Sequence, residues 1–423
     1  MPRKGIISAV ICFVVLAATA SFAEAPQQPS NGQTAPAEGP LPTATADDPQ
    51  PLAADEPAQE EEEPKIEFTP YGYIKVDASW DSAPINVGNF ARWVESAESF
   101  IEDSNFSLTA RQTRLGVRIA GGGSDTFEAS GRVEVDFYGG GAENKNLLML
   151  RHAYAELNWT DRDLVLLGGQ TSDVISPLVP TTLNYTVAWW VGNIGYRHPQ
   201  IRVTKGFDVG VDSRLTLAAA AVRTVAEDFS PAEPGDAGSH AGMPAIQGRV
   251  GYAWTMADNR AGVGFSGHWG RENPHLLDAQ VPYELTFDSW SANVDFTFPL
   301  TDRVTLKGEV FTGSNLDDFF GGIGRGINFG KQMAIDSTGG WVAVDFRANE
   351  QVLTTFGYGM EDPDDEALNN ANRTKNSSTW ANFIYDITSH VRTGVELSYW
   401  RTHYKTLELG KGFRIQYSLI YSF

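Results

Sequence analysis

Polar and apolar side chains alternate at every second position along most of the chain from Ile66 to Phe423. The segment 127–137, FEASGRVEVDF, has its apolar residues at odd positions and its charged residues at even positions. The segment 150–159, LRHAYAELNW, likewise separates His152, Tyr154 and Glu156 by apolar residues. Because successive side chains of a β-strand point to opposite faces, this period predicts strands with one polar and one apolar face. The two faces of each strand therefore require different solvents.

The connections between the alternating segments differ systematically in length: along the chain, short polar turns alternate with long insertions. The short turns fall at 121–125, 160–163, 256–260, 301–303 and 348–351. The long insertions fall near 81–103, 139–147, 173–195, 225–245, 271–283, 314–339, 361–378 and 403–410. A soluble β-sandwich gives no such asymmetry, whereas outer-membrane barrels have tight turns at one end and long loops at the other.

The pattern predicts an all-β fold, a transmembrane antiparallel β-barrel of about sixteen strands, with short periplasmic turns and long external loops. Closure follows from the solvent, because an open sheet edge in hydrocarbon leaves backbone groups unpaired at several kcal/mol each. On the apolar face of the strands, Trp159 and Trp254 immediately precede short turns, while Trp269 and Tyr399 lie close to long loops. Tryptophan and tyrosine are expected at these positions if the strand ends lie at membrane–water boundaries. We expect a multi-pass protein of a Gram-negative outer membrane, surrounded by lipid and lipopolysaccharide.

The first 64 residues differ in composition from the barrel, which we place at 65–423. Arg3 and Lys4 precede an apolar run and a small-residue cleavage pattern, which predicts a signal peptide over 1–23. Residues 24–64 are rich in Pro, Ala and Glu, so we expect a disordered acidic arm. The single cysteine, Cys12, lies inside the predicted signal, which leaves the mature chain without a disulfide.

Charge and local motifs narrow the function classes. The arm has ten acids and no base, and the rest of the mature chain has 43 acids against 30 bases, which argues against nucleic acid as a partner. The glycine-rich run 321–330 lacks the βαβ context of a phosphate loop, so we expect a flexible external loop there. The acidic run 361–366 lacks EF-hand spacing and is expected to be solvated. The sequence predicts no cofactor, no metal and no catalytic residue.

If the apolar face of each strand contacts lipid, the polar face lines the inside of the barrel. Sixteen strands enclose a space wide enough for an aqueous channel, so passage of solute is the expected function. The polar parity carries His152, Lys75, Asp77, Arg114, Arg118, Arg132, Glu134, Thr216, Gln247, Arg249, His268, Asn293, Asp295, Lys307, Glu309, Arg392, Glu396 and Arg414.

The long insertion at 173–195 has a composition unlike that of a free external loop. After Asp173 it has no charge, and it is rich in large apolar side chains whose exposure to water would be costly. We therefore expect this third long loop to fold inward and narrow the pore; a fold-back that seals a subunit contact is the alternative. The predicted constriction residues are Asp173, Pro177, Pro180, Tyr185, Trp189 and Trp190.

Several short segments occur in an order that resembles the sixteen-stranded trimeric porins, and in particular their DcaP-like branch. They are YGYIKVDASW (71–80), TRLGVRIAG (113–121), LRHAYAEL (150–157), LLGGQT (166–171) and GYRHPQIR (195–202), followed by the terminal Phe423. The resemblance covers the barrel and is strongest over residues 66–206. It implies a homotrimer in the outer membrane.

The resemblance also implies a basic constriction. In the general porins, arginines at the positions of Arg114, Arg151 and Arg197 face an acidic third loop, and a lysine of the first strand stands at the position of Tyr73, close to Lys75. The third loop of this chain retains only Asp173. A net positive constriction that favours small anions is therefore implied, and DcaP-like proteins pass dicarboxylates. The predicted pore-lining residues are Lys75, Arg114, Arg118, Arg151, His152, Arg197 and Arg202.

Arg151 conflicts with this assignment on parity. By strict alternation it shares a face with Ala153 and Leu157 and would point into lipid, unless a β-bulge resets the strand. An arginine in lipid costs about 2–4 kcal/mol at the bilayer midplane.

Two other function classes stay open at this point. An outer-membrane hydrolase needs a convergent triad, but the sequence has no G-x-S-x-G elbow, and its polar parity shows scattered charges instead of one cluster. A structural barrel could instead be tethered through its acidic arm to a periplasmic layer or a basic partner.

Overall fold

A computed structural model describes residues 65–85, 89–98, 104–140, 144–225, 237–276 and 283–423. The predicted signal peptide at 1–23 and the predicted arm at 24–64 lie outside these residues. Within the described residues, no helix is long and apolar enough to cross a membrane.

The described chain forms sixteen antiparallel strands, each hydrogen-bonded to the next, and β1 also pairs with β16, so that the sheet is closed. The predicted barrel and its strand number are confirmed. The strands are β1 (Glu67–Asp81), β2 (Asn105–Thr109 and Arg114–Ala120, one strand with a break), β3 (Glu128–Asp136), β4 (Met149–Trp159), β5 (Leu164–Ser172), β6 (Arg197–Asp208), β7 (Ser213–Val222), β8 (Ala245–Met256), β9 (Asn259–Glu272), β10 (Phe287–Thr301), β11 (Val304–Ser314), β12 (Asp336–Arg347), β13 (Val352–Pro363), β14 (Arg373–Asp386), β15 (Val391–Tyr404) and β16 (Gly410–Ser422).

The lengths of the connections alternate as the sequence predicts. Tight turns join β2 to β3, β4 to β5 and every second pair thereafter, including β6 to β7 and β14 to β15, where we had not predicted a turn. The long loops all leave from the opposite end of the barrel. They include two short hairpins, Ile327–Asn328 with Met333–Ala334 and His275–Leu276 with Tyr283–Glu284, and the four-residue helix Ala237–His240.

The outer face of the sheet is apolar. In β16, Phe413, Ile415, Tyr417 and Leu419 are 38–44% exposed, while the intervening Arg414, Gln416 and Ser418 are at most 1% exposed. Aromatic side chains collect at both ends of this face: Trp254 packs on Tyr252 and Phe298 next to the short turns, and Trp269 pairs with Trp290 next to the long loops. This is the distribution expected for a barrel in a bilayer.

The apolar core of the molecule lies inside the barrel. Three lumen-facing tryptophans, Trp341, Trp380 and Trp400, pack against residues of the first and third long loops, among them Ile85 and Val191. The lumen is therefore partly filled by its own loops, while the strand faces around these loops are polar.

The assignment of the outer face to lipid can be tested at Phe265, which is 61% exposed in the middle of β9. We expect Phe265→Arg to lower the free energy of unfolding by about 2–4 kcal/mol, because a charge at mid-bilayer depth is costly. Reversible unfolding in urea in lipid vesicles measures the change, with Phe265→Leu as the control. Equal stability of the two variants would contradict a lipid-facing position.

Candidate constriction site in the barrel lumen

The third long loop, which follows β5 and begins at Asp173, lies in the lumen and crosses it. It leaves β5, and its middle part is hydrogen-bonded to β11, β12 and β15 on the far wall. It then returns along the near wall to enter β6.

Asp173 anchors the start of the loop. Its carboxylate accepts hydrogen bonds from the Tyr196 backbone N–H at 2.7 Å, from His198 Nδ1 at 2.9 Å and from Gln247 Nε2 at 3.1 Å. Burial alone would raise the pKa of Asp173, but the charge of His198 and these hydrogen bonds hold that pKa below its usual value of 3.8. Asp173 is 6% exposed, so it serves as an internal anchor of the loop and presents little charge to the lumen.

Carboxylates of the far wall hold the middle of the loop. Glu309 Oε1 accepts from the Leu178 backbone N–H at 2.7 Å, and Glu396 Oε2 accepts from the Leu183 N–H at 2.8 Å. Glu396 Oε1 also accepts from Thr182 Oγ1 at 2.7 Å. Both carboxylates are at most 3% exposed. The loop thus covers the acids of the wall that it contacts.

Tyr185 attaches the returning part of the loop to the near wall. Its hydroxyl donates to Asp136 Oδ2 at 2.9 Å and accepts from Arg151 Nη1 at 3.1 Å, and its ring stacks on Tyr138 with centroids 3.9 Å apart. Its backbone N–H donates to the carbonyl oxygen of Asn89 in the first long loop. The two loops therefore support each other inside the barrel.

The returning part of the loop has an unfavourable backbone conformation. Val187, Ala188 and Trp190 have φ angles of 45°, 64° and 61°, in the left-handed region that costs non-glycine residues about 1–2 kcal/mol each. Burial of Trp189 and Trp190 against Phe320 offsets this cost, with ring centroids 4.5 and 4.9 Å from Phe320. Packing fixes this segment against its local preference.

Arg151 faces the lumen because β4 contains a bulge. Glu134 of β3 pairs with His152 while the next residue, Val135, pairs with Leu150, so Arg151 is the extra residue between them. Leu150 points outward, 42% exposed, and Arg151 is 6% exposed. Strict alternation would have put Arg151 in lipid, and the bulge corrects that reading.

Three arginines from different strands meet at one cavity of about 210 Å³ between the third loop and the near wall. They are Arg114 of β2, Arg151 of β4 and Arg197 of β6. Arg151 is bound by Glu134 at 2.9 Å and Asp136 at 2.7 Å. Other residues of the lining are Pro177, Leu178, Val179, Tyr185, Trp189 and Tyr196.

Arg114 and Arg197 are less neutralised than Arg151. Arg114 Nη1 lies 3.8 Å from Glu134, and the guanidinium of Arg197 lies 4.5 Å from the centre of the Tyr196 ring. Among the described residues, Nε and Nη2 of Arg197 and Nε of Arg114 have no hydrogen-bond partner. These N–H groups are buried in the near wall beside the cavity, so the charges of Arg114 and Arg197 are only partly compensated there.

The other predicted site residues have mixed positions. Lys75 Nζ lies 3.3 Å from Asp77 and donates to the carbonyl oxygen of Leu183, so it supports the tip of the loop. His152 lies beside the arginines, with Nδ1 at 3.0 Å from Thr171. Arg118 stacks on Tyr71 towards the end of the barrel with short turns, and Arg202 lies near Glu156 of β4. Pro180 and Trp190 are buried inside the loop.

The sequence reading missed two elements of the site. The first long loop also folds inward, since Trp93 is 7% exposed and lies 6.0 Å from Trp190 between ring centroids. The loop at 315–335 does the same: Ile323, inside the glycine-rich run predicted to be a flexible external loop, is fully buried against the tryptophans. Glu361, the first residue of the acidic run predicted to be solvated, is also buried and accepts from the Gly322 N–H at 2.5 Å. In the sequence, the apolar residues between the glycines of 321–330 were the one sign that this loop packs inward.

In the part of the chain that the structure describes, no three His, Cys, Asp or Glu side chains are grouped so that they could hold a metal ion.

Several solved structures that match this chain are outer-membrane channels and porins, and the expected resemblance is confirmed at the level of the fold. The outer-membrane channel DcaP of Acinetobacter baumannii matches with a TM-score of 0.67 and 19% identity over 85% of this chain and 97% of that one. An anion-selective porin from Comamonas acidovorans matches with a TM-score of 0.53 and 12% identity over 85% and 100%. OmpT of Vibrio cholerae, in its trimer form, gives 0.51 and 11% over 85% and 100%. No family model matches the sequence, and no curated protein matches it.

The anchor of the third loop can be tested by pH. Because the folded-state pKa of Asp173 is depressed, its ionised form contributes stability above pH about 4, and this contribution is lost as pH falls through the folded-state value. We expect tryptophan fluorescence to report loosening of Trp189 and Trp190 when the pH is lowered from 6 to 2. In Asp173→Asn the dependence should be weaker; identical titrations of the two proteins would contradict the anchor.

Proposed function

We propose that the protein is an outer-membrane porin that forms a water-filled channel for passive diffusion of small hydrophilic solutes and favours anions. The observation that carries this proposal is the distribution of charge around the cavity. Arg114 and Arg197 line the cavity and are incompletely paired, while the carboxylates of Glu309 and Glu396 on the far wall are occupied by the third loop. A permeating ion therefore meets more positive than negative charge.

The porin fold supports this proposal, and so does the chemistry of the lining. Guanidinium groups bind carboxylates through paired N–H donors, so dicarboxylates are a suitable class of solute. DcaP of Acinetobacter baumannii is described as an outer-membrane channel, and the Comamonas protein as an anion-selective porin. In this proposal the barrel has no catalytic role.

We further propose that three copies associate in the membrane, with lipid and lipopolysaccharide around the trimer. The Vibrio cholerae protein of the same fold is described in a trimer form. The apolar outer face of the barrel provides surface for both lipid and neighbouring subunits.

The proposal predicts a reversal potential of anion-selective sign across a planar bilayer under a salt gradient. A unit charge about 7 Å from the ion path is worth about 0.6 kcal/mol at a water-like dielectric constant. Because this energy has opposite sign for an anion and a cation, we expect Arg114→Gln and Arg197→Gln each to lower the anion-to-cation permeability ratio by up to about sevenfold.

Arg303→Gln, in the exposed turn between β10 and β11, is the matched control and should leave the ratio unchanged. Cation preference of the unmodified protein would contradict the proposal, and absence of conductance would favour a structural role for the barrel.

A further inference from the structure

Glu134 of β3 lies at the centre of the basic wall. Its Oε2 accepts from Arg132 Nη2 at 2.5 Å and from the Tyr71 hydroxyl at 2.9 Å, and its Oε1 accepts from Arg151 Nε at 2.9 Å. Arg114 Nη1 at 3.8 Å and His152 Nε2 at 3.9 Å lie on the same side as Oε1. The residue is 2% exposed, so these interactions are weakly screened by water.

The position of Glu134 differs from those of the other acids around the cavity. Asp136 is covered by Tyr185 of the third loop, and Asp173 is held at the start of that loop. Glu134 contacts the strand residues Tyr71, Arg132, Arg151, Arg114 and His152. Two of these partners, Arg114 and Arg151, line the cavity. Its carboxylate can therefore influence the cavity without supporting the loop.

We propose that Glu134 is a specificity-determining residue that acts as a resident counter-ion of the basic wall. Its Oε1 takes the place that the carboxylate of a permeating anion would take on Arg114 and Arg151, and it competes with that anion for the same donors. This inference rests on the proposed function as an anion-favouring channel.

Competition between Glu134 and a permeating anion for the same arginine donors would speed the release of the anion. Conduction requires a site that attracts the solute but releases it again, and three arginines without a counter-charge would hold a carboxylate too long. Glu134 lowers the affinity of the wall while leaving Arg114 only partly neutralised, at 3.8 Å. The anion then exchanges with a tethered carboxylate instead of leaving the donors unpaired in a buried place, which would be costly.

The test is single-channel recording in planar bilayers with succinate as the probe, comparing the unmodified protein with Glu134→Gln. Glutamine keeps the size of the side chain and removes its charge. We expect succinate to interrupt the chloride current at about tenfold lower concentration, with longer individual blocks, and the anion-to-cation ratio to rise about threefold, since tenfold in affinity corresponds to about 1.4 kcal/mol.

The matched control is Glu128→Gln, an exposed glutamate on the same strand and parity, six residues away. At about 3.4 Å per residue it lies about 20 Å from Glu134, so succinate block should stay as in the unmodified protein. In the double variant Glu134→Gln with Arg114→Gln, the gain in succinate affinity should be much smaller, because one of the freed donors is gone. If Glu134→Gln does not assemble, Glu134→Asp withdraws the carboxylate by one methylene and should shift the block in the same direction by a smaller factor.

The inference is overturned if the unmodified protein is anion-selective and Glu134→Gln, or failing that Glu134→Asp, leaves both succinate block and permeability ratio unchanged. A shift of equal size in Glu128→Gln would overturn it as well, because the effect would then be one of net charge. Failure of the proposed function is a separate result, visible in the unmodified protein alone as cation preference or absence of conductance.

Discussion

The structure depends on one constraint, the pairing of every backbone N–H and C=O group in a medium that offers no water. Sixteen antiparallel strands meet it by closing on themselves, with the last strand hydrogen-bonded to the first. Closure fixes the parity of each strand, so that Ile415 and Tyr417 face outward and Gln416 faces inward. It also forces the chain to return at both ends, and among the described residues it is long loops of one end that enter the lumen. The site is built from these two consequences of closure.

The lumen is divided into two chemically different halves. On the near wall, arginines outnumber the carboxylates that pair with them, and on the far wall, Glu309 and Glu396 are bound by backbone N–H groups of the third loop. The loop therefore alters the electrostatic potential in the lumen by covering wall carboxylates. Its own carboxylate, Asp173, is occupied by the hydrogen bonds that anchor the start of the loop. In this arrangement Arg114 and Arg197 are the cavity-lining arginines that keep N–H groups without a hydrogen-bond partner among the described residues.

The fold could be predicted from the sequence because it follows from period two and connection length, which are local properties. Arg114 could also be placed in the lumen, since its strand alternates regularly. Arg197 could not be placed by alternation, because it shares its parity with the outward-facing Ile201 and Val203, and only the family resemblance put it at the constriction. Arg151 could not be placed by alternation either, because a bulge is a mismatch between two strands, and neither strand records it alone. The roles of Glu309 and Glu396 depend on contacts with residues more than 100 positions away in the chain. The positive φ angles of Val187 and Trp190 likewise exist only because distant aromatic residues hold them there.

The packing of tryptophans inside the barrel has a consequence for how such a channel can change. Inside this barrel the apolar packing of the loops and the cavity lined by the three arginines share one wall, since Trp189 belongs to both. A wider passage would have to be obtained by dismantling part of what keeps the loops in place. Substitution of charged side chains on the strands therefore disturbs this packing less than substitution of residues in the loop does.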